Sequence, residues 1–231
     1  MNTTTTANAA PPATDKRWRT AIASYTKDTV QVRGEPVGRL MRELDFGAAL
    51  FLMCRSRRPS PAEARLVNAV LVHGGAGEQV ARRMQAEVAA ATQAGRSMED
   101  HAREFVARAR ERKEIIEGYG HPLHPTGDER VDALRAIAEE VGLVGPHLRF
   151  ATAVADEIER QAKRRIPLNI DGVMAAVLLD LGFDWRLVRM FVFVPRAAGI
   201  SVHAVEETVR ERGWRVIAPP DEIDYDGPAA A

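Results

Sequence analysis

The stretch RVDALRAIAEEVGLVGPHLRFATAVADEIER, residues 130–160, decides the fold class of this chain. Its apolar residues recur at every third or fourth position, and this spacing places them on one face of an α-helix. Two such faces follow one another: Val131, Leu134, Ile137 and Val141, and then Leu148, Ala151, Val154 and Ile158. Between them lie Gly142, Gly145 and Pro146, which interrupt the helical pattern. The stretch therefore predicts two consecutive amphipathic helices.

The same helical spacing extends over most of the remaining sequence. The clearest helix start is Ser60-Pro61-Ala62-Glu63, which combines a capping serine, a proline in the first turn and a glutamate that can cap in return. Further helices are predicted over residues 36–44, 46–55, 61–72, 78–92, 98–115, 171–181, 185–194 and 196–212. Strand signals are confined to residues 20–25 and 29–33. We therefore predict an all-α protein, a multi-helix bundle with at most a short N-terminal β-hairpin.

The charge balance argues against one large class of partners. The chain has 231 residues, and its 32 Lys and Arg residues are matched by 32 Asp and Glu residues. Nucleic-acid-binding proteins normally carry an excess of basic residues or a basic face, so we expect no nucleic-acid partner. The single cysteine, Cys54, can form neither a disulfide framework nor a thiolate metal cluster, and we expect no metal.

Membrane and export signals are not predicted from the sequence. We expect no membrane-spanning helix, because no stretch approaches the roughly 20 apolar residues that such a helix needs. The first 14 residues are rich in Thr, Ala and Pro and have neither a basic nor an apolar segment of the secretory type. We therefore expect a cytoplasmic protein without a membrane partner.

Three polar residues stand in unusual sequence contexts. His73 precedes the run Gly-Gly-Ala-Gly, His121 lies between Gly120 and Pro122, and Asp171 is a lone carboxylate in an otherwise apolar helix. Each also has a simpler interpretation. A histidine beside glycine is most often an ordinary loop residue, and an aspartate at a helix start is most often the N-cap.

Two other histidines are predicted to have no role in chemistry. His101 stands among charged residues of a predicted helix, and we expect it on the solvated surface. His203 stands among apolar residues, and we expect it to face the core with a hydrogen-bond partner.

Five segments, taken together and in order, are more informative than any one of them. They are HGGAGE at residues 73–78, GYGHPLHPTGDER at 118–130, NIDGV at 169–173, RAAGISVHAVEE at 196–207 and IDYDGP at 223–228. As a set they resemble the motifs of the citrate synthase superfamily, over about residues 18–228. The short length, the NIDG motif and the ending RVIAPPDEIDYDGP are most similar to the citryl-CoA lyase branch.

The resemblance implies an enzyme that makes or breaks the bond between the methyl carbon of acetyl-CoA and the carbonyl carbon of oxaloacetate. This chemistry passes through a thioester enolate, which requires a base at carbon and hydrogen-bond donors at two oxygens. By similarity, Asp171 is the base, His73 donates to the enolate oxygen and His121 is the acid at the ketone. Burial and the helix N-terminus push the pKa of Asp171 in opposite directions, and the sequence does not say which effect is larger.

The resemblance also assigns three arginines. Arg130 and Arg196 match the family residues that hold the carboxylates of the acid, where a planar guanidinium suits the geometry. Arg165 falls where family members place a basic residue near the phosphate of CoA. The coenzyme A thioester is a substrate in this scheme, and no metal is expected.

Domain organisation and partners follow from the same resemblance. We predict a disordered leader over residues 1–15, a helical domain over 16–228 and an irregular tail over 214–231. A smaller subdomain is expected at about residues 118–195 within the helical domain. The implied partners are acetyl-CoA, oxaloacetate or citryl-CoA, and further copies of this chain in a homodimer or a dimer of dimers.

One departure from the family pattern lies before the HGGAG motif. Family members carry several tens of residues between the helix that matches 61–72 and this motif, including a histidine that contacts the oxaloacetate part. Here Asn68-Ala69-Val70-Leu71-Val72 leads directly into His73. Two interpretations follow. The enzyme keeps its three catalytic residues and works on an altered or looser substrate, or the chain is a catalytically impaired homologue that binds CoA or a partner.

Overall fold

The computed structural model describes residues 20–72, 75 and 77–210. It divides the chain into two units, Met1–Arg58 and Pro59–Ala231. The predicted leader, the predicted tail and His73 lie outside the described residues. The boundaries of the subdomain at about residues 118–195 remain a prediction.

A small antiparallel sheet opens the first unit. Its strands, in the order β1-β2-β3, are β1 Ala23–Tyr25, β2 Val30–Val32 and β3 Glu35–Pro36. In β1 and β2, Ala23 pairs with Val32 and Tyr25 with Val30, which confirms the predicted hairpin. The third strand was not predicted. It follows a tight turn in which Arg33 and Gly34 have φ values of 51° and 80°, a left-handed pair typical of hairpin turns.

Two helices complete the first unit, α1 Val37–Glu43 and α2 Phe46–Arg55. Asp45 caps α2 by accepting a hydrogen bond from the backbone N–H of Ala48 at 2.7 Å. Phe51 of α2 is fully buried. Arg58 pairs with Glu35 and with Glu43, so one guanidinium ties the last strand to α1.

The second unit is mainly helical in its described part. Its elements are α3 Pro61–Val72, α4 Glu78–Gln93, α5 Met98–Glu111, α6 Glu129–Glu140, α7 Pro146–Ala162, α8 Ile170–Asp180, a 3₁₀ turn at Trp185–Leu187 and α9 Met190–Arg210. Nine of the eleven residues of α8 are buried, and α8 packs against α4, α6 and α7. This explains why its sequence is apolar on nearly every side. The predicted all-α fold class is therefore confirmed.

The sequence signals for helix starts are confirmed at several ends. The Ser60 backbone N–H donates to Glu63 at 2.8 Å and the Glu63 N–H donates to the Ser60 hydroxyl at 3.2 Å, which is a reciprocal capping box.

Helix α5 ends at Glu111, short of the predicted residue 115. Lys113 adopts a left-handed φ of 55°, which is incompatible with continuing a right-handed helix.

The two helices predicted around Pro195 are a single helix in the structure. Helix α9 runs from Met190 to Arg210 with Pro195 inside it. Proline removes the hydrogen bond of its own N–H and its ring crowds the carbonyl four residues earlier, but here it does not end the helix. Upstream, Val192 and Phe193 both donate to the Arg189 carbonyl, at 3.1 and 3.2 Å, so the first turn closes before the proline is reached.

The two predictions for histidines are wrong. His101 is buried, with 5% of its surface exposed, and its Nε2 lies 2.7 Å from the Glu87 carboxylate. Arg108 donates to the same Glu87 oxygen at 2.7 Å, so the three residues link α4 to α5. His203 instead lies on an exposed part of α9, with 82% of its side chain exposed. The charged neighbours of His101 in sequence point to other faces of α5, which the local composition could not indicate.

The length of the last helical segment differs from the expectation for the sequence. Residues Trp185–Arg210 are long and apolar enough to cross a bilayer by length and composition alone. The expectation that no stretch approaches this length is therefore wrong for these residues. A helix that packs against a second protein can be equally long and apolar. Only 17% of the most apolar part of this segment is buried within this chain.

Candidate functional site

The N-terminus of α8 carries the aspartate that the motifs single out. Asn169, and not Asp171, is the N-cap, because its side-chain oxygen accepts from the Gly172 backbone N–H at 3.1 Å. Asp171 lies in the first turn of the helix. The simpler interpretation of Asp171 as the cap is therefore wrong. Its side chain is half-buried at a helix N-terminus, where the helix dipole favours a negative charge.

A loop that begins at Gly118 is fixed against the start of α8. The Gly120 N–H donates to the Pro167 carbonyl at 2.7 Å, and the Asn169 N–H donates to the Gly118 carbonyl at 2.9 Å. The Asn169 side-chain amide also donates to the Gly120 carbonyl at 2.8 Å. Gly118 and Gly120 have φ values of 93° and 73°, which other residues rarely adopt. Two segments about fifty residues apart are thus joined, and His121 follows directly.

Two glycines of the HGGAG motif, Gly75 and Gly77, lie against Asp171. A Cβ atom at Gly75 would overlap the Asp171 carboxylate oxygen Oδ1, and a Cβ at Gly77 would lie 2.7 Å from the Asp171 carbonyl oxygen. Both distances are shorter than real Cβ atoms tolerate. These glycines are therefore required by close approach of the backbone. Gly75, which follows His73 by two residues in the sequence, thus lies against Asp171 at the start of α8.

The ring of His121 has a defined tautomer in its neutral form. The Leu123 backbone N–H donates to His121 Nδ1 at 3.1 Å, so this nitrogen is the acceptor. In the neutral ring, the other nitrogen, Nε2, then carries the proton and can donate it. The rings of His121 and His124 lie 4.7 Å apart between centroids.

Arg130 forms a bidentate pair with Asp128 at the start of α6. Its Nε and Nη2 donate to the two Asp128 oxygens at 2.8 and 2.5 Å. These hydrogen bonds lower the pKa of Asp128 to about 2, and they outweigh the opposing effect of burial. The pKa of Arg130 is raised chiefly by the same pair, and the charge of Asp171 adds to the shift. Arg130 is therefore within electrostatic range of the aspartate.

A cavity of about 280 Å³ adjoins Asp171. It lies between the start of α4, the loop at Gly118 and the start of α8. Its lining is Gly77, Glu78, Gln79, Val80, Glu117, Gly118, Asp171 and Arg189. A volume of this order suits a small molecule or the reactive end of a larger one.

An ion pair that the sequence did not predict stands in this cavity. Arg189 Nε donates to Glu78 Oε2 at 2.8 Å. Glu78 follows the HGGAG motif directly, which was the one available signal for it. Arg189 comes from the turn before α9 and belongs to no motif, so nothing in its sequence context could have placed it here.

Not all of the predicted site residues meet at this place. Arg196 is exposed on α9 and does not line the cavity. Arg165 lies near Gly127, since a Cβ atom at that residue would be 3.9 Å from Arg165 Nη2. It lines a separate cavity of about 100 Å³. The roles that the resemblance gives to Arg196 and Arg165 thus remain predictions. Within the described residues, no group of three or more His, Cys, Asp or Glu side chains could hold a metal ion.

Comparison with protein families supports the motif assignment. Residues 71–219 match the model of the citrate synthase C-terminal domain. Among curated proteins, the chain is 28% identical over 158 residues to citrate synthase 2 of Bacillus subtilis (strain 168), covering 68% of this chain and 39% of that protein. It is 27% identical over 146 residues to a citrate synthase of Dictyostelium discoideum, covering 59% of this chain and 26% of that protein. The chain thus spans well under half the length of these curated relatives.

Solved structures agree over a larger share of the chain. The citryl-CoA lyase of Hydrogenobacter thermophilus superposes with a TM-score of 0.78 at 27% identity, covering 93% of this chain and 96% of that one. An ATP citrate lyase of Methanosaeta concilii superposes with a TM-score of 0.67 at 17% identity, which shows a shared fold. It covers 96% of this chain and 43% of that one.

Proposed function

Because this chain belongs to the citrate synthase family, we propose that it makes or breaks the carbon–carbon bond between acetyl-CoA and oxaloacetate, with citryl-CoA as the joined form. The observation that carries the proposal is the junction at Asp171. There Gly75 and Gly77 of the HGGAG motif, the loop that leads to His121 and the start of α8 meet. This chemistry needs a carbon base and oxygen donors at one place.

In the direction of cleavage, His121 removes the hydroxyl proton of citryl-CoA. The oxygen then forms the ketone of oxaloacetate as the carbon–carbon bond breaks, and the electron pair of that bond becomes the enolate of acetyl-CoA. His73 donates a hydrogen bond to the enolate oxygen, and protonated Asp171 returns a proton to the carbon. In the direction of synthesis the same steps run in reverse. Nε2 is the His121 nitrogen that exchanges this proton, since Nδ1 already accepts from the Leu123 N–H.

Turnover of citryl-CoA tests this proposal. The purified protein is incubated with citryl-CoA and, separately, with acetyl-CoA plus oxaloacetate, while the thioester and the free thiol are followed. We expect turnover in at least one direction and its loss in Asp171→Asn, with a melting temperature close to that of the wild type. A folded wild type that is inactive in both directions, or an active Asp171→Asn variant, would contradict the proposal.

A catalytically impaired CoA-binding homologue is the second candidate. It is favoured by the direct connection of residues 68–72 to His73, where family members carry a further substrate histidine. Loss of one such donor costs about 10²–10³ in rate when it acts on a developing charge. Calorimetric titration with CoA separates the candidates, since binding without turnover supports this one and no binding contradicts both.

We also propose that the chain self-associates through α9. Five of its large apolar side chains are more than half exposed: Phe193, Ile200, Val202, Val205 and Val209. Large apolar side chains exposed in such number on one helix are typical of a protein interface. A homodimer, or a dimer of dimers, would cover it.

A further inference from the structure

We propose that Arg189, held by Glu78, binds a carboxylate of the acid substrate in the cavity beside Asp171. This inference rests on the proposed function and adds to it a residue that determines specificity. Arg189 lies outside every motif that carries the family resemblance. The argument starts from the two ends of its ion pair.

Glu78 is well placed to hold the guanidinium. It is the first residue of α4, where the positive end of the helix dipole stabilises a carboxylate. Its side chain is 31% exposed, and that of Arg189 is 60% exposed. One carboxylate oxygen of Glu78 accepts a hydrogen bond from Arg189 Nε at 2.8 Å.

The contact with Glu78 leaves the Nη donors of Arg189 for a ligand. A guanidinium has five N–H groups, and the described contact with Glu78 uses the one on Nε. The two Nη nitrogens match the spacing of the two oxygens of a carboxylate. Among the residues that the structure describes, no second acidic partner lies within ion-pair distance of Arg189. A bound acid can therefore occupy this edge of the guanidinium without displacing Glu78.

The charge of the cavity makes this cation necessary for an anionic ligand. Asp171, Glu78 and Glu117 contribute three carboxyl groups to the lining, and Arg189 is the one cationic side chain described there. Like charges at such short range disfavour the entry of an acid. Arg189 offsets this repulsion, and Arg130 adds a positive charge within electrostatic range of Asp171.

The geometry also separates a carboxylate from a phosphate as the ligand. If the thioester methyl lies at Asp171, the long pantetheine arm carries the phosphates of CoA away from the reacting carbon. A cavity of about 280 Å³ cannot hold the thioester and those phosphates together. The anion that reaches Arg189 while the methyl is at Asp171 is therefore a carboxylate of the second substrate.

Calorimetric titrations with oxaloacetate and, separately, with CoA test the inference on Arg189→Gln. A charge-assisted contact contributes about 1.5–3 kcal/mol, so we expect oxaloacetate to bind roughly ten- to hundred-fold more weakly. CoA should bind as in the wild type. In turnover, KM for the acid should rise by a similar factor, with kcat changed less than about threefold.

Three further variants distinguish recognition from a structural role. Arg186→Gln is the matched control, because Arg186 is an exposed arginine three residues before Arg189, is paired with Asp184 and does not line the cavity. It should bind both ligands normally. Arg189→Lys keeps the charge without the planar fork, and Glu78→Gln leaves the guanidinium untethered, so each should give an intermediate loss of acid affinity. Melting temperatures of all four variants check folding.

Two results would overturn the inference. One is Arg189→Gln binding oxaloacetate as tightly as the wild type, and the other is an equal loss of oxaloacetate and CoA binding. Repeating the titrations in the Asp171→Asn background keeps this test apart from the proposed function. If the wild type binds oxaloacetate but does not turn over, the catalytic proposal fails while the role of Arg189 is still measured. If the wild type binds no acid at all, both proposals fail.

Discussion

Gly75 is the residue that most directly limits what can stand beside Asp171. A methyl group there would overlap the carboxylate oxygen, and at Gly77 it would press on the Asp171 carbonyl. We expect Gly75→Ala to displace the carboxylate and lower kcat by at least tenfold. Overpacking of this kind typically costs about 1–3 kcal/mol of unfolding free energy.

Activity assays and urea unfolding of the same samples measure both effects. Gly38→Ala is the matched control, since nothing lies within 4 Å of a Cβ at this helical glycine. It should keep full activity and gain slightly in stability, because alanine is the better helix former. A fully active Gly75→Ala would show that the close approach to Asp171 has no role.

Asp128 supplies a test of pH dependence at a single residue. Its pKa is about 2 in the folded protein and about 4 when exposed, so its contribution is complete above pH 4 and is lost as pH falls through 2. The shift corresponds to about 2 kcal/mol. Asparagine can still cap the helix but cannot pair with Arg130. We expect the difference in unfolding free energy between wild type and Asp128→Asn to shrink by about this amount from pH 5 to pH 2.

Asp184 provides the comparison, because Arg186 lowers its pKa to about 2 through the same type of pair. Its side chain is 38% exposed, against 3% for Asp128. Solvent screening should therefore make the effect of Asp184→Asn smaller and more sensitive to salt. Equal pH dependence for the two variants would contradict the role given to burial.

The site residues differ in how far the sequence could predict them. Asp171 and His121 were found because glycines and prolines around them are local signals. Asn169 was missed as the cap because Asp171, two residues later, is an equally good capping residue by type. Arg189 was missed for another reason. It reaches Glu78 across more than a hundred residues, and only packing brings the two together.

Among the elements, α7 depends on a cap that comes from another helix. Asp180, the last residue of α8, accepts from the backbone N–H groups of His147 and Leu148 at 3.0 and 2.9 Å, and from His147 Nδ1 at 2.8 Å. The carboxylate occupies the space that a side chain at Gly145 would need. The first turn of α7 is therefore fixed by the end of α8.

We expect Asp180→Ala to lower the unfolding free energy by about 1–3 kcal/mol, because buried donors lose their acceptor. Asp180→Asn keeps an oxygen acceptor and should lose less. Urea unfolding of both variants measures the order. A wild-type stability for Asp180→Ala would show that solvent replaces the carboxylate without cost.

Helix boundaries were predictable wherever the signal was local. The capping box at Ser60 and the caps at Ser97 and Asp128 hold because each side chain bonds to a backbone group two or three residues ahead. Pro195 misled the prediction because a proline inside a helix destabilises it without always ending it, and α9 continues through this one. His101 misled it because its partner, Glu87, lies on another helix.

For the whole molecule, the exposed apolar side chains of α9 predict assembly. We expect sedimentation velocity at micromolar concentration to show a dimer or larger species, and Val205→Glu to dissociate it. Ile115→Glu is the control, since Ile115 is 84% exposed but lies outside α9. Flotation with lipid vesicles tests the alternative that a membrane covers this helix. A monomeric wild type that does not float would contradict the assignment of α9 to any interface.

The backbone bonds that join Gly120 to Pro167 and Asn169 to Gly118 have a consequence for the order in which the protein becomes competent. These hydrogen bonds close loops of about fifty residues, so the chain must lose the conformational entropy of those loops before the bonds can form. During refolding, protection of the Gly120 and Asn169 amides from exchange with deuterium should then appear together with ligand binding. It should appear later than the helical signal. A chain can thus be fully helical and still lack a working centre.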